Sequence, residues 1–226
     1  MKTAVLGTGS VGRTIAGRAA QLGNEVVIGT RDPQATLSRT EGDMMGNPPF
    51  GVWYAEHAEI ALLPFAEAAR HGAIVVNATS GASSLEVLAL AGAENLADKV
   101  LIDVANPLDF SAGFPPTLLV KDTDSLGEMI QRTFPDAKVV KTLNTVNAAV
   151  MVDPRALADG AHSIFVSGDD AAAKATVTEL LRSFGWQDVI DLGDISTARG
   201  TEMLLAIWLR LMNVLETPAF NFKIVR

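Results

Sequence analysis

Cysteine is absent from the 226 residues of the chain, and histidine occurs only three times. The absence of cysteine excludes disulfide bonds, thiolate metal sites and a cysteine nucleophile. The histidines, His57, His71 and His162, have no metal-binding spacing such as H-E-x-x-H, and neither a G-x-S-x-G elbow nor a G-x-x-x-x-G-K-[ST] loop occurs. We therefore predict no metal site and assign no catalytic side chain.

Basic residues are also few: 18 Lys and Arg stand against 26 Asp and Glu, a formal net charge of −8. An acidic chain repels nucleic acid, so we expect no nucleic-acid partner. The long apolar stretch Ile195–Leu215 is interrupted by Arg199, Glu202 and Arg210. A membrane span needs about 20 uncharged residues, so no membrane partner is expected either. A motif that starts at Gly7 leaves no room for a leader, and we expect a cytoplasmic protein.

The clearest pattern lies at the start of the chain. A β-prone run at Thr3–Leu6 is followed by a glycine turn, by helical spacing over Val11–Leu22 and by a second apolar run at Glu25–Ile28. This order is that of the dinucleotide-binding βαβ unit, in which one glycine permits the tight turn, the next admits the pyrophosphate and the third lets the helix pack closely. We predict cofactor contacts at Gly7, Thr8, Gly9, Ser10, Val11 and Gly12.

The second predicted strand ends in Thr30 and Arg31, where an NAD site usually presents Asp or Glu to the ribose 2′-hydroxyl. A carboxylate would repel a 2′-phosphate, whereas a hydroxyl and a guanidinium would bind one. We therefore predict that both residues bind NADP(H); the alternative for Arg31 is a solvated loop charge. Asp32 and Pro33 are interpreted as the cap and first turn of a short helix that reaches Arg39.

Two later predicted strands end in polar residues. Ala73–Ala78 is apolar almost throughout, as in a strand buried on both faces of a parallel sheet, and Val100–Ala105 is similar. Ligands of open α/β sheets bind outside the carboxyl ends of the strands. We therefore predict contacts with the ribose, pyrophosphate or nicotinamide from Ala78, Thr79, Ser80 and Asn106. The alternatives are a helix cap for Ser80 and a turn for Asn106.

The rest of the chain contains two predicted loops and one conspicuous helix. Thr40–Pro49, with Met44 and Met45, is one loop, and Leu108–Leu119 is a long one that we expect to cover a second substrate. Ile195–Leu215 predicts the longest helix, apolar on nearly all sides. Such a helix is buried twice, so we predict a homodimer that forms through it.

The alternation of strands and helices predicts an α/β fold: a Rossmann-type, doubly wound, mostly parallel sheet with a small C-terminal α/β extension that ends in the long apolar helix. We place an NADP-binding domain at residues 1–143 and the smaller part at residues 144–226. The lack of an acid–base pair fits hydride transfer between two bound ring systems, since positioning supplies most of that catalysis.

Six stretches resemble the NADPH-dependent reductases of the deazaflavin coenzyme F420, the coenzyme F420:NADP oxidoreductase family. They are GTGSVG at 7–12, IGTRDP at 28–33, NATSG at 77–81, IDVANPLDF at 102–110, KVVKTLNTVNAAVM at 138–151 and DLGDISTARGTEMLL at 191–205. The resemblance implies an NADP(H) site at Thr8–Val11 and Thr30-Arg31, and hydride passage between nicotinamide and coenzyme F420. It also implies that Asn144, Thr145 and Asn147 flank the nicotinamide and the second ring.

The residues leave the redox partner open: a deazaflavin, a flavin, a quinone, or a small carbonyl or imine compound. A β-hydroxyacid dehydrogenase or imine reductase would append a large helical domain, whereas this chain continues to alternate strand and helix. A sensor that binds NADP(H) without turnover is the alternative of a different class, and the few catalytic residues permit it.

Overall fold

Ten strands lie in the residues that the computed structural model describes, 1–42 and 46–226; Met44 and Met45 of the predicted loop lie outside the described residues. Two of the strands, β6 and β7, form a separate antiparallel pair, and the others form one sheet. The strands are β1 (Lys2–Leu6), β2 (Glu25–Thr30), β3 (Ala61–Pro64), β4 (Ile74–Asn77), β5 (Val100–Asp103), β6 (Leu108–Asp109), β7 (Thr117–Leu118), β8 (Lys138–Thr142), β9 (Ser163–Ser167) and β10 (Asp188–Asp191).

The order of strands in the sheet is β10-β9-β8-β5-β4-β1-β2-β3, which confirms the predicted Rossmann-type, mostly parallel architecture. Neighbouring strands are parallel except β8 and β9, which run in opposite directions with Lys141 opposite Ser167 and Thr142 opposite Val166. The carboxyl ends of β1, β4, β5 and β8 therefore lie together. We call this the nucleotide edge of the sheet.

Helices cover both faces of the sheet and bury two separate cores. One core takes residues from α1, α3, α8 and α9, and the other from α4 to α7 and α10. The helices are α1 (Ser10–Gln21), α2 (Pro33–Leu37), α3 (Phe50–Ala55), α4 (Phe65–His71), α5 (Ser84–Ala91), α6 (Ala93–Leu96), α7 (Leu126–Thr133), α8 (Ala148–Val152), α9 (Ala171–Phe184), α10 (Ala198–Met203) and α11 (Leu205–Leu215).

Alternate residues of the central strands supply the two cores. Val5 and Val76 lie in the core on the α1 side, whereas Leu6 and Val75 lie in the core on the α4 side. Side chains alternate across a strand, so a strand buried on both faces must be apolar at consecutive positions. This requirement explains the continuous apolar runs from which the strands were predicted.

The helix predicted over Ile195–Leu215 is divided in the structure. Ile195–Thr197 forms a 3₁₀ turn, and α10 and α11 follow on either side of Leu204. The two helices pack against different parts of the molecule: α10 contacts α7, and α11 contacts the β6–β7 pair and the C-terminal segment 217–226. The longest helix among the described residues is instead α9, with 14 residues.

Two other predicted segments differ in their bounds. The short helix α2 is capped as expected, because Asp32 Oδ1 accepts a hydrogen bond of 3.0 Å from Ala35 N, but it ends at Leu37. The predicted loop at Leu108–Leu119 contains the strand pair β6–β7. Within residues 1–42 and 46–226, no helix combines the length and the apolar character that a membrane crossing requires.

Candidate functional site

The glycine turn between β1 and α1 has the shape that a bound dinucleotide needs. Gly7 has a φ of +122°, and a Cβ on it would lie 2.5 Å from the Ala78 carbonyl oxygen. A Cβ on Gly12 would lie 2.2 Å from the carbonyl oxygen of Gly7. A Cβ on Gly9 would meet nothing within 4 Å, so it would project into open space. Gly7 and Gly12 are thus required because backbone atoms approach them closely, whereas Gly9 leaves room for a ligand.

A cleft of about 530 Å³ opens beside this turn. Thr8 and Gly9 line it together with Arg13 and with the segment 38–42, which follows α2 and includes both Arg39 and Glu41. The free N–H groups at the start of α1 favour negative charge, and two guanidinium groups lie in the same lining. The cleft therefore suits an anionic ligand despite the net charge of the chain.

Thr30 and Arg31 lie at the end of β2, but their side chains have different environments. Thr30 is only 4% exposed, and its Oγ1 lies 2.8 Å from Thr36 Oγ1. Arg31 is exposed, and its Nη2 donates to Glu86 Oε1 at 2.8 Å. An exposed ion pair contributes about 0–1 kcal/mol, so an anion can compete with Glu86 for the guanidinium. The structure therefore leaves Arg31 accessible and places the Thr30 hydroxyl inside the protein.

A larger cavity of about 730 Å³ lies over the nucleotide edge. A cavity that is largely apolar with a few fixed polar groups is the usual form of a small-molecule site. The cavity brings together many of the predicted contacts: Ser10, Val11, Ala78, Thr79, Ser80, Asn106, Asn144 and Asn147. The rest of its lining includes Leu108 and Phe110 of the predicted covering loop, Val146 and Met151, and the acceptor wall, a name we use for Leu205, Trp208, Leu209, Pro218 and Ala219.

Hydrogen bonds hold the amide side chains of this cavity in place. Asn106 Nδ2 donates to the Asn144 carbonyl at 2.8 Å, and Asn144 Nδ2 donates to Asn106 Oδ1 at 3.0 Å. Asn147 Oδ1 caps α8. Ser80 forms no side-chain capping bond, so the capping alternative is not observed. Thr145 is 2% exposed and does not line the cavity, and its Oγ1 has no hydrogen-bond partner in the described part of the chain.

Trp208 is the aromatic residue of the acceptor wall. It is 9% exposed, and its ring stacks on Phe220 with centroids 5.1 Å apart. Its indole N–H has no hydrogen-bond partner among the residues that the structure describes. Buried indole N–H groups usually find an acceptor, and a ring bound in the cavity can supply one. No sequence pattern indicated that Trp208 lines the cavity, because a tryptophan in an apolar helix is most simply a core residue.

A buried ionic network adjoins the cavity, and no sequence motif pointed to it. The Lys141 side chain is fully buried, and its Nζ lies 2.8 Å from both Asp103 Oδ2 and Glu202 Oε1. Burial by itself lowers the pKa of Lys141, but attraction to the two carboxylates outweighs burial and raises the pKa above its ordinary value. The available signal was a charged residue within two apolar strand runs, Asp103 in β5 and Lys141 in β8, since such residues are buried only with partners.

Comparison with known proteins identifies the family. The family model described as NADP oxidoreductase, coenzyme F420-dependent, matches residues 2–107. A solved structure from Arthrobacter sp. FB24, provisionally described as an F420-dependent NADP reductase, is 64% identical and has a TM-score of 0.96 over 100% of both chains. The chain belongs to the coenzyme F420-dependent NADP oxidoreductase family.

Two further relatives show how widely this family's sequence pattern extends. The F420-dependent NADP reductase of Methanocaldococcus jannaschii is 28% identical over 213 residues, which are 93% of this chain and 92% of that protein. The metalloreductase STEAP3 of Rattus norvegicus is 30% identical over 218 residues, but the chain spans only 38% of its length. The resemblance to the F420:NADP oxidoreductase family is confirmed, and with it membership of a family of NADP-dependent oxidoreductases.

Proposed function

We propose that the chain binds NADP(H) along the nucleotide edge and transfers a hydride between the nicotinamide and coenzyme F420 bound in the 730 Å³ cavity. The observation that carries this proposal is the composition of that cavity. Polar groups from the carboxyl ends of β4, β5 and β8 line one part of it, and the acceptor wall lines another. A cavity of this size and mixed lining suits two ring systems, as the family description of an F420-dependent NADP oxidoreductase requires.

The residues of this chain would bind and orient the two partners. The glycine turn would receive the pyrophosphate on backbone N–H groups, and Arg31 would exchange Glu86 for the 2′-phosphate. Asn106 and Asn144, locked to each other, would present fixed polar groups to the ribose or nicotinamide. NADP(H) would donate or accept the hydride, and the acceptor wall would limit the access of water to it.

The decisive experiment is a fluorescence titration with NADPH and with NADH, followed by addition of oxidised coenzyme F420. We expect NADPH to bind more tightly and to be oxidised when the deazaflavin is added. A flavin, a quinone and a cyclic imine serve as competing acceptors. If only one of these compounds is reduced, that compound rather than the deazaflavin is the hydride acceptor. If NADPH binds but no acceptor is reduced, the protein is better described as a nucleotide sensor.

Substitution of Gly9 tests the nucleotide site itself. Because a Cβ on Gly9 projects into open space, Gly9→Ala is expected to fold normally and to bind NADPH at least about ten-fold more weakly, a loss of roughly 1.4 kcal/mol. Gly200→Ala is the matched control, since its Cβ also meets nothing within 4 Å and Gly200 lies on α10. Unchanged NADPH affinity in Gly9→Ala would contradict the site.

The assembly is proposed to be a homodimer through α11. Ile207, Val214 and Leu215 of this helix are 50%, 76% and 50% exposed in the single chain, an apolar surface that a second copy would cover. Light scattering at micromolar concentration tests this, and a monomeric mass would contradict it. We also propose that residues 1–143 supply most of the nucleotide site and residues 144–226 the acceptor wall; a cytoplasmic location stays a prediction.

A further inference from the structure

The buried network around Lys141 reaches the nucleotide side of the cavity through a chain of short hydrogen bonds. Asp103 accepts from Lys141 Nζ at 2.8 Å through Oδ2 and from Asn77 Nδ2 at 2.9 Å through Oδ1. Asn77 Oδ1 in turn accepts from Thr79 Oγ1 at 2.7 Å. Thr79 lines the cavity. This hydroxyl is therefore linked, in two steps, to the residue that pairs with Lys141, and Ser84 Oγ, 3.0 Å from Thr79 Oγ1, holds it from the other side.

The same network reaches the opposite side of the cavity through Glu202. This residue lies on α10, three positions before Leu205, the first residue of the acceptor wall, and its Oε1 lies 2.8 Å from Lys141 Nζ. The Glu202 carboxylate also accepts from the N–H groups of Leu126 at 2.8 Å and Gly127 at 3.1 Å, at the start of α7. The beginning of α11 is thus anchored to the strand that carries Lys141.

Two further bonds join the amide pair to this arrangement. Lys141 Nζ donates to the Ala105 carbonyl at 2.6 Å, immediately before Asn106. Asn144 Nδ2 donates to the Thr201 carbonyl at 3.1 Å, immediately before Glu202. Lys141 therefore holds the carbonyl group that precedes Asn106, and the carbonyl group that precedes Glu202 holds the side chain of Asn144.

The carboxylates of the network are fully satisfied. Asp103 accepts from Asn77, Lys141 and the backbone N–H of Ala105, and both oxygens of Glu202 have donors. Lys141 supplies the only side-chain cation within hydrogen-bond distance of either carboxylate among the described residues. A fully hydrogen-bonded buried network disfavours other arrangements, because each broken bond leaves a buried polar or charged atom without one of its partners.

We propose that Lys141 is a positioning residue for hydride transfer: through Asp103 and Glu202 it sets the separation between the nucleotide edge and the acceptor wall. The inference rests on the proposed function. Hydride transfer requires the reacting atoms to be about 3–3.5 Å apart, and a misplacement of about 1 Å can lower the rate about 100-fold. One ammonium group that holds both sides of the cavity is suited to keep that distance.

Glu202→Gln is the variant that tests this role. It keeps the shape of the side chain but removes the charge that holds α10 to Lys141, whereas the Asp103 pair remains. We expect the single-turnover rate of NADPH oxidation by coenzyme F420 to fall about 10- to 100-fold. The dissociation constant of NADPH should change by less than about two-fold, because Thr79 is still held through Asp103.

Glu128→Gln is the matched control. Glu128 also joins α7 to α10, since its Oε2 accepts from Arg199 Nε at 2.8 Å, but it contacts neither Lys141 nor the cavity. Its variant should lower the melting temperature and leave the single-turnover rate unchanged. If both variants slow hydride transfer equally, the effect comes from general packing of the two helices, and the proposed role of Lys141 is wrong.

A wild-type rate in Glu202→Gln would also overturn the inference while leaving the proposed function intact. If the wild-type protein oxidises NADPH with none of the acceptors, both the proposed function and the role of Lys141 are wrong. The two results are therefore distinguishable. If Glu202→Gln does not fold, Glu202→Asp replaces it: the charge is kept, the reach is shorter by one methylene, and a slowed rate with unchanged NADPH affinity is again required.

Discussion

Two ionic clusters lie near the ends of the central strands, and they differ in nearly every physical respect. The side chains of Lys141, Asp103 and Glu202 are at most 1% exposed, whereas those of Arg31 and Glu86 are 67% and 64% exposed. In the first cluster each carboxylate oxygen has a protein donor; in the second, solvent reaches both partners. The first is suited to hold structure, and the second to exchange its partner for a ligand.

The energetic consequences follow from desolvation. Removing one partner of a buried pair leaves an uncompensated charge and costs about 3–5 kcal/mol, whereas an exposed pair contributes about 0–1 kcal/mol. Substitutions in the Lys141 network should therefore act mainly on folding and geometry, and substitutions in the Arg31–Glu86 pair mainly on binding. The following predictions test that division.

Lys141→Met should have the largest effect. It leaves Asp103 and Glu202 buried without their cation, and we expect the free energy of unfolding to fall by about 3–5 kcal/mol, measured by urea denaturation. Arg31→Ala provides the comparison and should change the same quantity by less than about 1 kcal/mol. Equal losses in the two variants would contradict the division between the clusters.

Arg31→Ala should have the next largest effect, on binding. Loss of one charge-assisted contact with the 2′-phosphate is expected to weaken NADPH binding by about 1–3 kcal/mol and to leave NADH binding nearly unchanged. The two dissociation constants are measured by fluorescence titration. Equal weakening of both nucleotides would show that Arg31 does not bind the 2′-phosphate.

Glu86→Gln should have a smaller effect of opposite sign. Glu86 competes with an incoming phosphate for Arg31, so its neutralisation is expected to strengthen NADPH binding by less than about 1 kcal/mol without altering stability. The gain should diminish as salt is raised, since both charges are exposed to solvent. Weaker NADPH binding would mean instead that Glu86 orients Arg31 for the ligand.

The smallest effect should appear at alkaline pH. The pKa of Lys141 is raised by Asp103 and Glu202 despite burial, so the stability it contributes is fully present below its ordinary pKa of 10.5 and is lost as pH rises through the folded value. Glu202→Gln removes one carboxylate, and its alkaline loss of unfolding free energy should begin at lower pH than in Glu128→Gln. If the two variants lose unfolding free energy over the same alkaline pH range, Glu202 does not raise the pKa of Lys141.

Local patterns were sufficient to predict much of this architecture. The spacing of Gly7, Gly9 and Gly12 predicted the turn, and consecutive apolar residues predicted the central strands, because both features are determined by neighbours in the chain. The ionic clusters depend on distant partners: Lys141 pairs with Asp103 from 38 residues away, and Arg31 with Glu86 from 55. No local pattern identifies such partners.

The interruption of the last predicted helix has a similar origin. Apolar spacing continues across Leu204, so the sequence predicted one helix, but α10 and α11 are separate helices that pack on different neighbours, α7 and the β6–β7 pair. Likewise, the hydroxyl of Thr30 was expected to face a ligand, and only the fold shows that Thr36 lies 2.8 Å away from it.

The reversal of β9 makes its amino end, rather than its carboxyl end, adjoin the nucleotide edge of the sheet. Ser163 there receives the final segment of the chain, donating its N–H to the Phe222 carbonyl at 3.0 Å. Pro218 and Ala219 of the cavity lining are thus carried by this final segment, outside the hydrogen-bonded ladder of the sheet. Changes in the length or side chains of this segment would alter the shape of the cavity and leave the glycine turn between β1 and α1 unchanged.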